Sequence, residues 1–195
     1  EEEEVMDIQQ LFALGMKREV PQLLDFPKGL VLNLGAGKHV LPGALNLDYP
    51  QWDAENYHIE VTDRIRWQHR NPNRAYPLPA EAGDMFVTCP DGIVAGIHAY
   101  HFLEHVRDPR RMLREMQRVL MPGGVINICV PHYWGSMAHH DLDHKNTYAI
   151  DTWSNTFSAP WYTKDREGWK LRIHFNMLMA VTERNAAILT QLVKE

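Results

Sequence analysis

Short apolar runs that end in glycine, proline or acidic residues recur along the chain, and they predict the strands of a buried sheet. The runs that we assign to strands are Leu30–Leu34, Leu45–Asp48, His58–Asp63, Ile93–Ala99 and Val125–Val130. Patterns of helical period alternate with them. Such alternation of strand and helix is typical of α/β proteins, in which the strands are parallel.

Two stretches have the clearest helical character. Residues 5–17 carry apolar side chains at helical spacing ahead of the first strand. Asp108-Pro109 predicts a helix start, because an acid can cap the first turn and proline fits the first helical position. This helix should end at Pro122-Gly123-Gly124, which breaks a helix. A further helical or irregular segment is predicted near residues 148–158.

The end of the chain predicts an antiparallel hairpin formed by Leu171–Val181 and Ala186–Val193. We therefore expect one α/β domain over residues 1–195, with a Rossmann-like, mostly parallel open sheet and a C-terminal antiparallel hairpin that supplies one reversed edge strand. Residues 1–29 form an N-terminal helical extension in this prediction. Residues 64–92 contain several prolines and little periodicity, so we expect an irregular insertion there.

A glycine turn and an acid suggest the chemistry of the site. Gly35-Ala36-Gly37 follows the first strand, and Asp48 ends the second. Glycine lets the backbone approach a ligand that a β-carbon would exclude, and an acid after the next strand can bind the hydroxyls of a ribose. Val40 replaces the last glycine of the dinucleotide fingerprint, which favours a nucleoside-bearing cofactor without a pyrophosphate. The alternative is a turn that needs glycine for its geometry alone.

Composition narrows the class of protein. The chain has 195 residues, 45% hydrophobic and 23% charged, with no apolar run long enough to cross a membrane. Four glutamates at the start are unlike a secretory signal, and two cysteines give neither a disulfide framework nor a zinc spacing. We expect a reducing cytoplasm and no membrane. A net charge of −5 argues against strong unaided binding to nucleic acid.

Four segments together resemble the class I S-adenosylmethionine-dependent methyltransferases, closest to the small, type 11-like members that carry an "LEH…VLKPGG" pattern. The segments are LNLGAG (32–37), PGALNLD (42–48), HAYHFLEHV (98–106) and RVLMPGGVINICVP (118–131). The likeness extends over roughly residues 30–195. It implies S-adenosylmethionine as the cofactor and methyl transfer as the reaction.

The resemblance implies cofactor contacts along the glycine motif. Gly35, Ala36 and Gly37 would lie under the methionine part and the ribose, and Asp48 would accept hydrogen bonds from the ribose hydroxyls. Asn33 belongs to the same motif but stands where the family usually has an acid. Recognition of the cofactor's ammonium group would therefore be weaker or indirect.

The resemblance also implies contacts farther along the chain. Asp63, with the adjacent Arg64, would lie beside the adenine. The segment from His98 to His101, expected just after strand four, would border the sulfonium and the substrate. His101 is the catalytic candidate nearest the sulfonium. Glu104 is left open between catalysis and support of the following helix, whereas His105 is expected to brace that helix.

A histidine-rich loop over residues 132–147 follows strand five and should cover the pocket. His132, His140 and His144 can exchange protons near neutral pH, which favours a substrate-binding and acid–base loop, with His132 and His144 as catalytic candidates. A structural loop and a metal site are the alternatives. The ligand spacing is irregular, so no metal is assigned. Asp141–Lys145 resembles a "D-x-x-H-K" stretch of related methyltransferases, which favours a lid or substrate contact.

Two groups of arginines raise the question of a nucleic-acid substrate. Arg107, Arg111, Arg114 and Arg118 fall on one helical face, which could follow phosphates but is more typical of a solvated face. Residues 64–74 form a second basic run that could bind an anion. We expect methyl transfer to an oxygen or nitrogen of a small-molecule acceptor by a monomer or homodimer. A nucleic-acid or nucleotide methyltransferase and a non-catalytic scaffold of the same fold are the alternatives.

Overall fold

The computed structural model describes residues 23–36, 39, 41–48, 76–77, 89–157, 168–180 and 185–195. Seven strands in this part of the chain form one sheet. They are β1 (Leu30–Leu34), β2 (Leu45–Asp48), β3 (Tyr76–Pro77), β4 (Val94–Tyr100), β5 (Leu120–Pro131), β6 (Leu171–Ala180) and β7 (Ala186–Lys194). Two helices accompany them, α1 (Pro109–Val119) and α2 (Thr152–Phe157), with 3-10 turns at Leu103–His105 and Ser136–Ala138.

The strand order is β3-β2-β1-β4-β5-β7-β6. Strands β1 to β5 run parallel to one another, whereas β7 runs antiparallel to both β5 and β6. The predicted Rossmann-like, mostly parallel sheet with its C-terminal hairpin is confirmed. One detail was wrong, because the reversed strand β7 lies inside the sheet and β6 forms the edge. The burial of β7 along almost its whole length explains its inner position.

Helix α1 begins where the sequence predicted but ends earlier. The Asp108 side chain accepts a hydrogen bond from the backbone N–H of Arg111 at 2.9 Å, so it caps the first turn. The helix ends at Val119, and β5 starts at the next residue. Pro122-Gly123-Gly124 therefore lies within β5 and not at the helix end. There it forms a bulge, since Leu120 pairs with Val94 while Val125 pairs with Gly96.

Two predictions on the N-terminal half fall on residues that the structure does not describe, namely the helix over residues 5–17 and the strand at His58–Asp63. The structure instead pairs β3 with β2. Strand β3 lies inside residues 64–92, where the sequence predicted irregular structure, so that prediction is corrected at these two residues. A strand of two residues is too short to show an alternating pattern.

Buried side chains of β1, β4, β5 and β7 form the main core with the buried face of α1 and with Phe102, Tyr148 and Trp153. A second, smaller cluster contains Cys129, Phe175 and Leu189. No helix in the part of the chain described here is long and apolar enough to cross a membrane. Strand order changes direction between β1 and β4, so a crevice is expected at the carboxyl ends of these two strands.

Candidate active site

The carboxyl ends of β1, β2 and β4 meet at one edge of the sheet. Leu34, the last residue of β1, pairs with Leu47 on one side and with Ala99 on the other. Because the three strands are parallel, the residues that follow these pairs emerge side by side. They are Gly35 after β1, Asp48 at the end of β2, and Tyr100 with His101 at the end of β4.

Gly35 is required both by the backbone and by its neighbour. Its φ of +67° lies in the left-handed region, which residues with a β-carbon adopt at a cost. A β-carbon at this position would lie 3.0 Å from Cδ2 of Phe102, a fully buried ring. The backbone N–H of Ala36 then donates to the carbonyl of Leu47 at 3.0 Å and ties the turn to β2. The turn is therefore fixed in place before any ligand binds.

Two buried asparagines hold this turn. Asn33 Nδ2 donates to Asn46 Oδ1 at 2.8 Å and to the carbonyl of His39 at 2.9 Å. Asn46 also accepts from the N–H of Leu41 and donates to the carbonyls of Leu41 and Ala44. The structure thus gives Asn33 a positioning role inside the protein, and its predicted contact with the cofactor stays a prediction. Asn46 was missed, although an amide inside an apolar strand was a signal of this network.

Other predicted cofactor residues have less structure around them. Asp48 ends β2 and pairs along the backbone with Pro77 of β3. Gly37, Asp63 and Arg64 lie outside the described residues. Their roles, and the side-chain role of Asp48, stay predictions.

His98 does not lie where the sequence placed it. It is an internal residue of β4 and not part of a turn after that strand. Its Nδ1 lies 2.8 Å from the Tyr100 hydroxyl, and its ring packs on Phe26 with a centroid distance of 4.7 Å. Burial lowers the pKa of His98 to about 4, so the ring is neutral at pH 7. The prediction that His98 follows β4 is therefore corrected, because this seven-residue strand carries it two residues short of the sheet edge, whereas its place beside the sulfonium stays a prediction.

His101 occupies the turn that follows β4. Its φ of +49° is the one left-handed value among the non-glycine residues that the structure describes. Nδ1 lies 3.1 Å from Glu104 Oε1, and Nε2 lies 3.9 Å from the sulfur of Cys129. Burial lowers the pKa of His101, but the hydrogen bonds and charges of Cys129 and Glu104 outweigh it and raise the pKa to about 10. The raised pKa of His101 favours its imidazolium form at pH 7, which donates a proton more readily than it accepts one.

Glu104 lies in the 3-10 turn after His101 and is only 1% exposed. One carboxylate oxygen contacts His101, while the other, Oε2, is buried and finds no hydrogen-bond partner among the residues that the structure describes. A buried oxygen with unused lone pairs is costly unless a group outside the chain satisfies it. The sequence left Glu104 open between catalysis and support of the following helix. In the structure it lies buried beside His101 at the end of β4.

His132 directly follows β5, the strand next to β4 in the sheet. Its N–H donates to the carbonyl of Ala186 at 2.8 Å, and its ring packs against Tyr133 and Trp134. Burial lowers the pKa of the ring, with a smaller opposing effect from Asp151, and Nδ1 has no hydrogen-bond partner among the described residues. The ring is therefore neutral at pH 7. Its predicted catalytic role stays a prediction.

The histidine-rich loop is anchored onto the turn at Leu103–His105. Tyr148 Oη donates to the carbonyl of Leu103 at 2.9 Å, and the N–H groups of Lys145 and Asn146 both donate to that of Glu104. Lys145 Nζ donates to the carbonyl of His105 at 2.8 Å, and Asn146 Nδ2 to that of Val106 at 2.5 Å. Four successive carbonyls thus receive donors from one short segment. The segment following His144 is therefore a built part of the site.

This anchoring brings His144 to His105, with ring centroids 4.7 Å apart and edge-to-face geometry. Ligand atoms of Glu104, His105 and His144 all lie within 4.8 Å of one another. His105 was expected only to brace its helix, and the sequence assigned no metal here. No sign of the group is visible in the sequence, because His144 lies about forty residues after Glu104 and His105 along the chain.

The arginines of α1 are engaged inside the protein. Arg114 lies over the ring of Trp169, with its guanidinium carbon 4.4 Å from the centroid. Arg118 donates to Glu115 and Asp91 and to the carbonyl of Cys89. These two side chains stabilise the packing around α1 and are not available for following phosphates. The second basic run, over residues 64–74, lies outside the described residues.

Comparisons with known proteins add a family and a fold. The family model described as "Methyltransferase domain" matches residues 8–166. No curated protein sequence is significantly similar to the chain. Among solved structures, an S-adenosylmethionine-dependent methyltransferase from Mesorhizobium loti has a TM-score of 0.60 at 14% identity, with 96% of this chain and 98% of that chain covered.

Two further structures show the same fold. The N-methyltransferase NodS from Bradyrhizobium japonicum, in complex with S-adenosyl-L-homocysteine, gives a TM-score of 0.51 at 13% identity, covering 95% of this chain and 84% of that one. A methyltransferase from Haloferax volcanii, in complex with its Trm112 activator, gives 0.54 at 15% identity, covering 93% and 88%. At these identities the likeness concerns the fold alone.

Proposed function

Because this chain belongs to the methyltransferase domain family and is an S-adenosylmethionine-dependent methyltransferase of class I fold, we propose that it methylates an oxygen or nitrogen of a small-molecule acceptor. The cofactor would occupy the β1–β2 side of the crevice, and the acceptor would lie on its other side, at the end of β4. One observation carries the proposal: the left-handed Gly35 turn and the end of β2 lie side by side where the strand order changes direction.

The residues at this edge fit an adenosyl group. The turn is fixed by Asn33, Asn46 and the Ala36–Leu47 hydrogen bond, so its backbone needs no rearrangement on binding. Asp48 follows the Leu34–Leu47 pair by one residue, a position from which a carboxylate can accept hydrogen bonds from a ribose diol. The missing acid at Asn33 is consistent with a different contact for the ammonium group.

When bound, S-adenosylmethionine supplies an already activated methyl group, so the protein's task is alignment and exclusion of water. His101 lies at the end of β4, next to the crevice, and would act as a cation at neutral pH. Its imidazolium can stabilise an anionic acceptor through its charge, while Nδ1 and Nε2 keep their contacts with Glu104 and Cys129. Glu104 holds the ring through Nδ1 and sets its orientation.

Two observations support a small acceptor over a nucleic acid. The net charge of −5 disfavours phosphate binding, and Arg114 and Arg118 are occupied by contacts within the protein. The segment at the end of β4 reads His98-Ala99-Tyr100-His101, unlike the Asn/Asp-Pro-Pro-aromatic tetrapeptide of enzymes that methylate DNA amino groups. Both cysteines of the chain are free thiols, which fits the cytoplasm that we propose as its compartment.

Calorimetric titration with S-adenosylhomocysteine tests the cofactor site. We expect Asp48→Ala to weaken binding by about 1–3 kcal/mol, because two hydroxyl hydrogen bonds to a charged group are lost. Asp25→Ala, which removes an exposed carboxylate ahead of β1, is the matched control and should bind like the unmodified protein. Equal affinities for both variants would contradict the role of Asp48, and no binding by the unmodified protein would contradict the function.

The acceptor class has its own test. The protein is incubated with methyl-labelled donor and cell extract, and the labelled product is then digested with nuclease or protease. We expect the label in a small-molecule fraction that neither digestion changes. Label that nuclease releases from a polymer would replace this proposal with the nucleic-acid alternative.

A further inference from the structure

We propose that Glu104, His105 and His144 form a binding site for one first-row divalent transition metal ion. A carboxylate and two imidazoles are ligands that such ions prefer, and three protein ligands with open positions are typical of catalytic zinc sites. The site lies beside His101 at the acceptor end of the crevice. It extends the proposed function but does not depend on it, since metal binding can be measured without cofactor.

The distances suit a metal ion with little rearrangement. The three ligand atoms lie within 4.8 Å of one another. Zn–N and Zn–O bonds of about 2.0–2.2 Å place tetrahedral ligand atoms roughly 3.4 Å apart. Side-chain rotations that move the ligand atoms by about 1 Å would therefore bring all three into bonding distance of one ion. Glu104 is buried, whereas His105 and His144 are partly exposed. The remaining coordination positions would therefore face the solvent-accessible side.

Glu104 offers an independent sign that a ligand belongs here. Its Oε2 is fully buried and has no hydrogen-bond partner in the described part of the chain, although Oε1 is held by His101. A bound cation would satisfy Oε2 without disturbing that contact. His101 would then orient a metal-binding carboxylate from behind, which is the usual arrangement around metal ligands.

His144 is prepared in the same way. Its Nδ1 lies 3.3 Å from the carbonyl of Ala138, so this nitrogen carries the proton and Nε2 keeps a free lone pair. The backbone N–H groups of Lys145 and Asn146 fix the adjacent residues on the carbonyl of Glu104. These contacts hold a distant histidine against Glu104 and His105. The ammonium of Lys145 is turned onto the carbonyl of His105.

A purely structural loop accounts for less of what is observed. The hydrogen bonds of residues 145–148 explain why the loop adheres to the turn, and edge-to-face packing explains one contact between two imidazoles. Neither explains a buried carboxylate oxygen that is left without a partner. In the proposed site an open coordination position can hold an oxygen of the acceptor close to the end of β4.

Titration of the metal-free full-length protein with Co²⁺ tests the site, followed by visible absorption and calorimetry, with Zn²⁺ as competitor. We expect one ion per chain and an absorption band typical of imidazole and carboxylate ligands. His144→Ala and His105→Ala should each weaken binding at least about 100-fold, since even residues that only orient ligands contribute 10–100-fold. His144→Asp, which replaces the imidazole nitrogen with a carboxylate oxygen as ligand, should retain part of the affinity that His144→Ala loses.

His139→Ala is the matched control, because this exposed histidine of the same loop contacts the carbonyl of Tyr133 and lies outside the group. It should bind Co²⁺ like the unmodified protein. Thermal unfolding without metal should be similar for all variants, and only proteins with an intact site should gain stability from Co²⁺. Absence of binding, or equal loss in His139→Ala, would overturn the proposal. Binding of S-adenosylhomocysteine, measured in parallel, separates this result from a failure of the cofactor site.

Discussion

The two sides of the crevice are built in different ways. On the β1–β2 side, the turn and its supports come from one short segment, between Asn33 and Asp48. The backbone of this segment forms the turn, and hydrogen bonds within the segment hold it. On the β4 side, Glu104 and His105 meet His144 through hydrogen bonds that join residues 40 to 45 positions apart. A backbone site leaves a local pattern in the sequence, whereas a site made of distant side chains does not.

The largest expected effect tests the local side. Gly35→Ala places a β-carbon 3.0 Å from Phe102 and forces alanine into a left-handed conformation. We expect a loss of about 2–4 kcal/mol in the free energy of unfolding, measured by urea denaturation, because the strain of the turn and the overpacking of the core add. Binding of S-adenosylhomocysteine should weaken as well, while Co²⁺ binding should persist in the folded fraction.

Gly43→Ala is the matched control for that experiment. Gly43 also has a left-handed φ, +78°, but a β-carbon there would meet no atom within 4 Å. We expect a cost of about 1–2 kcal/mol from backbone strain alone. Equal losses at both positions would contradict the role of the Phe102 contact in shaping the turn.

A smaller effect tests the distant side. Tyr148→Phe removes the buried hydrogen bond from Oη to the carbonyl of Leu103 and should lower the free energy of unfolding by about 1 kcal/mol. Tyr133→Phe, at an exposed position, is the control and should be neutral. We expect Co²⁺ affinity to fall in Tyr148→Phe and affinity for S-adenosylhomocysteine to stay unchanged. A loss of both affinities would show that the two sides are one coupled unit.

The contrast also explains what the sequence could predict. Glycine after an apolar run and an acid after the next one are local signals, so the β1–β2 turn, the parallel strands and the closing hairpin were foreseen. Tertiary packing decided the rest. Strand β5 begins at Leu120 and therefore contains the residues that were expected to end the helix, and β7, which is buried along almost its whole length, lies inside the sheet. His98 was assigned to the crevice by its position in a motif, but the length of β4 places it within the strand.

Glu104 and His105 illustrate the limit most clearly. Their neighbours in the chain indicate only the start of a helix, and the structure reveals that a loop forty residues later closes on them. Asp141–Lys145 could be recognised in the sequence as a motif. The sequence did not indicate that this motif contacts Glu104 and His105. No periodicity carries that information.

A single crystal structure can show whether the crevice has a cofactor side built from one local segment and an acceptor side built from distant side chains. A crystal grown with S-adenosylhomocysteine and Mn²⁺ would be measured at an X-ray energy at which manganese scatters anomalously. We predict electron density for the adenosyl group between Gly35 and Asp48. We also predict an anomalous peak at metal–ligand distance from the side chains of Glu104, His105 and His144. A side chain filling the adenosyl position, or an anomalous peak elsewhere with none at these three residues, would contradict the account.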